Sequence, residues 1–325
     1  MKSSKVIILT YHYVRDFKKS LFPKIDGLEL DKFIEQISFL KKYYTIISMD
    51  TLLDSINSSN PLPSNSVLLT FDDGYSDHYD YVLPLLIKNN IFGSFYIPFK
   101  AINENFVLDV NKIQLVLSVL NNPDFIIQKI FNEMNKFKTN YNFHSHDYYY
   151  KKLEKKNRWN TRKVLFIKRL LQRDLPKIVR KEILNILFQR YVTKDETGLS
   201  EQYYMTYNNL LSIKNDGMHI GNHTYNHEWL GSKSKMDQEN DFDMSMTCLN
   251  KINGVNSKWT VSYPYGNYNN DTIDILKKKG CSLGFTTNVG IADLLNDELY
   301  ELPRLDTNDF PNDLNAIKNL YYNDV

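Results

Sequence analysis

The chain has 325 residues, 42% of them hydrophobic, which suits one large or two ordinary globular domains and excludes a disordered or fibrous protein. Forty Lys and Arg against 38 Asp and Glu leave a formal net charge of +2, too small for a generally basic, nucleic-acid-coating protein. The two cysteines, Cys248 and Cys281, supply neither a disulfide framework nor metal-site spacing, and no run of about 18 apolar residues is present to form a membrane-spanning helix. The apolar run at 6–9 is too short for a signal-peptide core, so the expected location is cytoplasmic.

In chain order, short β-branched or apolar runs at 6–9, 45–48, 67–71, 93–97, 218–220, 260–262 and 283–286 alternate with helical patterns. The helical patterns lie at 31–42, 50–57, 78–89, 207–215, 236–253 and 271–279. This alternation predicts a parallel α/β sheet or barrel. Segment 31–42 shows the helical signal, with Phe33, Ile37 and Leu40 on one side, Lys32, Glu35 and Lys41 on the other, and Asp31 as its N-cap.

From 101 to 200 the apolar spacing is helical throughout, which predicts a helical insertion between barrel segments 1–100 and 201–325. Residues 151–181 carry thirteen Lys and Arg against only Glu154 and Asp174. Such a stretch is either a solvated helix face or a surface that meets phosphate, on a nucleotide, a lipid-linked sugar or a bilayer. Nucleic acid is not an expected partner.

The run at 67–71 ends in Asp72-Asp73-Gly74, and strand ends are where α/β folds place their sites. Adjacent strand residues point to opposite faces, so two carboxylates converge only where the strand yields to a turn, which Gly74 permits. After the run at 218–220 comes Gly221-Asn222-His223-Thr224-Tyr225-Asn226-His227. Imidazoles four residues apart lie on one side of a helical turn, close enough to share a metal. With a strand-end carboxylate they form a two-histidine, one-carboxylate set that leaves coordination positions open for water and substrate. A third strand-end signal is Ser262-Tyr263-Pro264-Tyr265-Gly266.

With Thr70-Phe71-Asp72-Asp73-Gly74, His223-Thr224-Tyr225-Asn226-His227 and Tyr263-Pro264-Tyr265-Gly266 in that order, the chain resembles the polysaccharide deacetylase family, also called NodB-homology or carbohydrate esterase family 4. The resemblance covers about 6–99 and 206–309, leaving the helical insertion outside it. The opening Thr10-Tyr11-His12-Tyr13-Val14 is similar to the signature of one branch, which includes exopolysaccharide N-deacetylases of biofilm synthesis. The resemblance implies a distorted (β/α) barrel of about seven strands, interrupted here by the large helical insertion read from the apolar spacing. It also implies a divalent metal on Asp73, His223 and His227, Asp72 as catalytic base, and the backbone N–H of Tyr265 facing the oxyanion. Zinc is the default for such ligands, with cobalt, nickel, iron or manganese as alternatives.

Two departures from the family pattern bear on the chemistry. Many members carry an arginine ahead of the proline in the third motif to orient the base, where Ser262 and Tyr263 stand here. The fifth motif usually ends in a histidine that protonates the leaving amine, where this chain has Leu302-Pro303-Arg304. Arginine stays charged and is a poor proton donor. The resemblance of Tyr11-His12 to the branch signature instead suggests His12, at the end of the first strand, as the general acid. Leu302 is expected to line the acetyl-methyl pocket, and Arg304 to hold a carboxylate or a substrate anion. Tyr75, Trp229 and Tyr265 are candidates for stacking on sugar faces. His78 is expected to bond locally, and His219 to point away from the metal pair. The expected activity is metal-dependent removal of an N-acetyl group from a sugar in a glycan, lipid-linked or nucleotide-linked precursor of surface polysaccharide. O-deacetylation, hydrolysis of another small amide, and a noncatalytic carbohydrate-binding role on a degenerate fold are the alternatives.

Overall fold

Each of the seven apolar runs becomes a strand in the computed structural model, which describes residues 4–58 and 60–316. The outer ends of the two expected barrel segments, 1–3 and 317–325, lie outside the described residues. The strands are β1 (Lys5–Tyr11), β2 (Val14–Arg15), β3 (Leu28–Glu29), β4 (Thr45–Ile47), β5 (Ser66–Phe71), β6 (Ser94–Ile97), β7 (His219–Asn222), β8 (Thr260–Ser262), β9 (Leu283–Phe285), β10 (Ala292–Asp293) and β11 (Leu305–Asp306). Chain division gives two compact units: Met1–Asp16, Asp26–Glu104 and Glu201–Val325 make one, Phe17–Ile25 and Asn105–Ser200 the other.

The first unit is built on a nine-stranded sheet ordered β10-β1-β5-β6-β7-β8-β9, with β4 also on β5 and β11 also on β1. All pairings in it are parallel except β1 with β10. Parallel strands need crossover connections, and the helices Leu30–Tyr43, Leu83–Asn89, Tyr207–Asn215 and Lys235–Asn253 supply them. The sheet curls far enough that Leu302 bridges Phe285 of β9 while Leu305 and Asp306 pair with Leu9 and Thr10 of β1. Residues 302–306 thereby link the two ends of the curled sheet.

Side-chain parity sorts the strands into two faces. Val6, Ile8, Leu68, Tyr96, Leu283, Phe285 and Leu302 pack together inside the curl. Ile7, Leu9, Tyr11, Val67, Leu69, Phe71, Phe95 and Ile97 face the helices. Both sets are buried, as a parallel sheet covered on its outer face requires. The first crossover helix starts at Leu30, with Glu29 in the cap position and no side-chain cap bond. Asp31, expected as the cap, instead lies in the first turn, where its charge still favours the helix dipole.

The second unit is helical where it has regular structure, with Asp109–Leu120, Pro123–Phe137, His146–Leu153, Arg162–Arg169 and Lys177–Tyr191 as its main helices. Ile113, Val116, Ile126, Ile130, Phe166, Leu170, Ile183 and Phe188 are buried in it. Lys112 is buried as well, its ammonium satisfied by Glu196 at 2.8 Å and Asn185 at 3.0 Å. His144 and His146 stack on Tyr148 and Phe131. No described helix is long and apolar enough to cross a membrane.

Candidate active site

Parity carries the interior face of the sheet up to its polar end. Leu68 is followed on the same face by Thr70 and Asp72, Ile8 by Thr10, Thr260 by Ser262, and Leu302 by Arg304. These side chains meet around Asp72, which is 1% exposed. Arg304 donates from Nη2 to Asp72 Oδ2 at 2.8 Å and from Nη1 to Oδ1 at 3.1 Å, a two-point clamp between groups each 2% exposed. Ser262 Oγ donates to Oδ2 at 3.0 Å. The guanidinium is itself fixed by Thr70 Oγ1, Ser262 Oγ and the Thr286 carbonyl, at 3.1, 3.0 and 3.0 Å. Burial disfavours the Asp72 carboxylate, but the charges of Arg304 and then His223 outweigh it and hold the pKa down to about 2. Asp72 is ionised throughout the physiological range.

At Asp73 the chain leaves the strand, with φ of 74° followed by φ of 65° at Gly74, and the second carboxylate swings away from the first. Its Oδ1 lies 3.4 Å from Nε2 of His223 and 3.2 Å from Nε2 of His227. Its Oδ2 accepts from the Tyr75 hydroxyl at 2.7 Å. His223 Nδ1 lies 2.6 Å from the Ser262 carbonyl, which only accepts, so Nδ1 carries a proton. Its Nε2 therefore faces the Asp73 carboxylate, whose contact and charge, with the charge of Asp72, raise the His223 pKa despite burial. Asp73 Oδ1 is buried without a hydrogen-bond donor among the described residues and faces an imidazole nitrogen of each histidine, as a metal ligand would. Asp73, His223 and His227 form the one cluster among the described residues whose ligand atoms all lie within 4.8 Å of one another, and all three are buried. The donor set fits a divalent metal with open coordination positions.

The histidine pair does not lie on a helical turn, as its spacing predicted. Thr224 and His227 adopt left-handed φ angles of 65° and 53°, so the segment is a looped connection rather than helix. Side chains hold it in that form. Asn222 accepts from Thr224 N at 2.7 Å, Thr224 Oγ1 accepts from His227 N at 3.1 Å, and buried Asp241 accepts from Tyr225 N at 2.7 Å and from the Asn226 amide at 2.9 Å. A β-branched residue with positive φ is a genuine outlier, and it stands between the two ligands.

The remaining expectations divide. Trp229 and Tyr265 stack on one another at 4.7 Å with 9° between their planes, and Tyr265 also meets the edge of His227 at 5.0 Å. Both are half-buried, so an aromatic surface borders the cluster. Tyr265 has a φ of 59°, which turns its peptide sharply after Pro264. His12 follows the last residue of β1; its side chain is exposed, and its charge reaches Asp72, Asp73 and His227.

Tyr75 and Leu302 do not sit as expected. Tyr75 is 0% exposed beneath Asp73, stacked on Tyr13 at 4.1 Å, and has no face for a sugar. Leu302 is likewise 0% exposed within the interior apolar cluster beside Phe285. Arg304 takes the first of its two expected roles and holds a carboxylate, that of Asp72. Arg304 thus orients Asp72 in a chain whose third motif carries no arginine. His78 bonds the distant His12 carbonyl instead of a local partner. His219 lies on the same face as His223, not the opposite one, and its Nε2 meets Thr260 Oγ1 at 2.9 Å.

Sequence comparison agrees with this geometry. The polysaccharide deacetylase profile matches residues 59–166 and 176–284, extending through most of the stretch expected to be an unrelated insertion. The chain belongs to the polysaccharide deacetylase family. No curated protein sequence matches it. Among solved structures, the Streptococcus pyogenes deacetylase PplD in complex with acetate is similar with a TM-score of 0.59 at 18% identity, over 95% of this chain and 93% of that one. IcaB from Ammonifex degensii gives 0.56 at 16%, over 94% and 93%, and the BpsB deacetylase domain from Bordetella bronchiseptica 0.55 at 16%, over 94% and 97%. At these identities the likeness is one of fold.

Proposed function

We propose that the chain is a metal-dependent hydrolase that removes the N-acetyl group from a sugar in a glycan, lipid-linked or nucleotide-linked precursor. The observation that carries this reading is the pairing of the Asp73, His223 and His227 cluster with a second buried carboxylate, Asp72, locked by Arg304. Asp73, His223 and His227 would hold the cation, zinc by default. When bound, such a cation lowers the pKa of water and polarises an acyl oxygen. Asp72, kept ionised and aimed by its clamp, accepts the proton of the attacking water. The Tyr265 N–H, at the sharp turn after Pro264, meets the oxyanion. His12 donates a proton to the departing nitrogen. Trp229 and Tyr265 offer a flat aromatic surface for a pyranose ring, and the thirteen cations of residues 151–181 a docking area for a phosphate on the precursor.

The test joins metal content to acetate release. Purified protein is analysed for bound metals and assayed on acetamido and acetoxy sugars before and after chelation. Release lost on chelation and restored by metal supports the reading; stoichiometric metal with no release from any N-acetyl sugar sinks the substrate assignment. Asp72→Asn is expected to abolish release while metal stays bound, and His227→Ala to lose the metal itself.

A further inference from the structure

His12 stands just past the end of β1, where the ladder no longer holds the backbone, and its side chain is exposed. Its neighbours are held through backbone, Tyr11 O by Asp72 N and Tyr13 O by Leu28 N, each at 2.9 Å, while the bond to His12 itself comes from the segment after Asp73. His78 Nε2 lies 2.7 Å from the His12 carbonyl oxygen, 66 residues away in the chain. A carbonyl only accepts, so Nε2 of His78 is the donor. Three residues earlier, Tyr75 stacks on Tyr13 and donates its hydroxyl to Asp73. Successive residues 12 and 13 are therefore gripped by 78 and 75, side chains of the stretch that carries both site carboxylates.

The His78 ring has no room to turn away. It is 0% exposed and meets the ring edges of Phe71 at 5.5 Å and Tyr75 at 5.7 Å, with Phe95 at 6.0 Å. Desolvation pushes its pKa down to about 4, so the ring is neutral and its single N–H is committed to His12. A buried imidazole in an aromatic shell is costly to place for packing alone, since phenylalanine fills such space without a polar group.

We propose that His78 is a positioning residue which, through its Nε2–H bond to the His12 carbonyl, fixes the His12 imidazole relative to Asp72 and Asp73 for proton delivery to the leaving group. This rests on the reading of His12 as proton donor given above. Misplacing a catalytic group by an ångström costs about a hundredfold in rate, which sets the scale of the expected effect.

The experiment compares an N-acetyl sugar, whose amine must be protonated to leave, with 4-nitrophenyl acetate, whose phenolate leaves unaided. His78→Phe is expected to lower kcat on the acetamide roughly 10–100-fold with KM and metal content unchanged, and to alter aryl-ester turnover less than threefold. His78→Gln, which restores an N–H donor near Nε2, is expected to recover most of the loss. His78→Met, bulky but without a donor, replaces His78→Phe if that variant does not fold. Equal losses on both substrates, loss of metal, or no recovery by glutamine would overturn the assignment in favour of a packing role. His12→Ala separates the two readings. If it leaves acetamide turnover intact, the proton-donor reading fails and the His78 assignment with it; if it impairs turnover while His78→Phe does not, His78 alone is misassigned.

Discussion

Arg304 is the residue on which the base depends. Replacing it by leucine leaves the Asp72 charge buried without its strongest counter-charge, which costs roughly 3–5 kcal/mol of stability, read from the denaturant midpoint. The pH consequence follows from the same balance. With the guanidinium gone, desolvation pushes the Asp72 pKa up from about 2, so the acid limb of kcat/KM moves to higher pH. Arg304→Lys keeps one charge but loses the two-point fork and is expected to move the limb less. A limb unmoved in Arg304→Leu would show that Asp72 is not the group titrating there. Stability has its own sign. A carboxyl whose pKa folding lowers adds stability above its unfolded value of 3.8, and that share fades as pH falls toward 2.

Most of the site was legible at this scale, because Asp72, Asp73, His223 and His227 announce themselves by residue type and local spacing. Arg304 was legible as a carboxylate or anion holder, but its pairing with Asp72 was not, although it shares strand parity with Leu302. Its partner lies 232 residues away, and only closure of the sheet brings the two together. The buried positions of Tyr75 and His78 have the same cause, since aromatic and histidine side chains suit interior and exterior alike. Nor does the sequence betray the left-handed turn at Thr224, a residue type that disfavours it.

Among elements, the closing segment has the clearest weak point. Gln36, on the first crossover helix, donates its amide to the carbonyls of Thr307, Phe310 and Pro311 at 3.1, 3.2 and 3.2 Å. Its carbonyl accepts from Tyr11 at 2.8 Å and Thr307 at 2.9 Å. Gln36→Leu orphans these buried groups together, and a loss of about 2–4 kcal/mol is expected from urea unfolding. A midpoint within error of the parent would mean that the strap is held elsewhere. The basic stretch is also tested as an element. Lys152 and Arg173 are already engaged by Asp174, and Lys163 by Asp124. Neutralising Lys151, Lys155 and Lys156 is the cleaner probe, expected to raise KM for a phosphorylated precursor several-fold while sparing its dephosphorylated form. Equal KM changes for both would leave a solvated face. The strands were legible as β-branched runs between helical periods, whereas β2, β3, β10 and β11, each two residues long, carry no periodicity to read.

For the whole molecule, the ligand cluster links metal to folding. Asp73 comes from the end of β5 and the two histidines from the loop after β7, so no unfolded chain presents the set. A cation that binds only the native state stabilises it by about 2.7 kcal/mol at a hundredfold excess over its Kd. Calorimetry on chelated protein is expected to show a melting temperature rising with added zinc, and His227→Ala to flatten that rise; a rise of equal size in the variant would place the zinc elsewhere. The fold class was legible from the alternation of elements.

The order of parts along the chain has a temporal meaning. Every residue of the ligand set precedes position 228, while the guanidinium that arms the base comes at 304. During synthesis the ribosome therefore delivers Asp73, His223 and His227 before Arg304. A polypeptide clipped between 228 and 304 would carry all three proposed ligands and leave the buried Asp72 carboxylate without the guanidinium that offsets its charge.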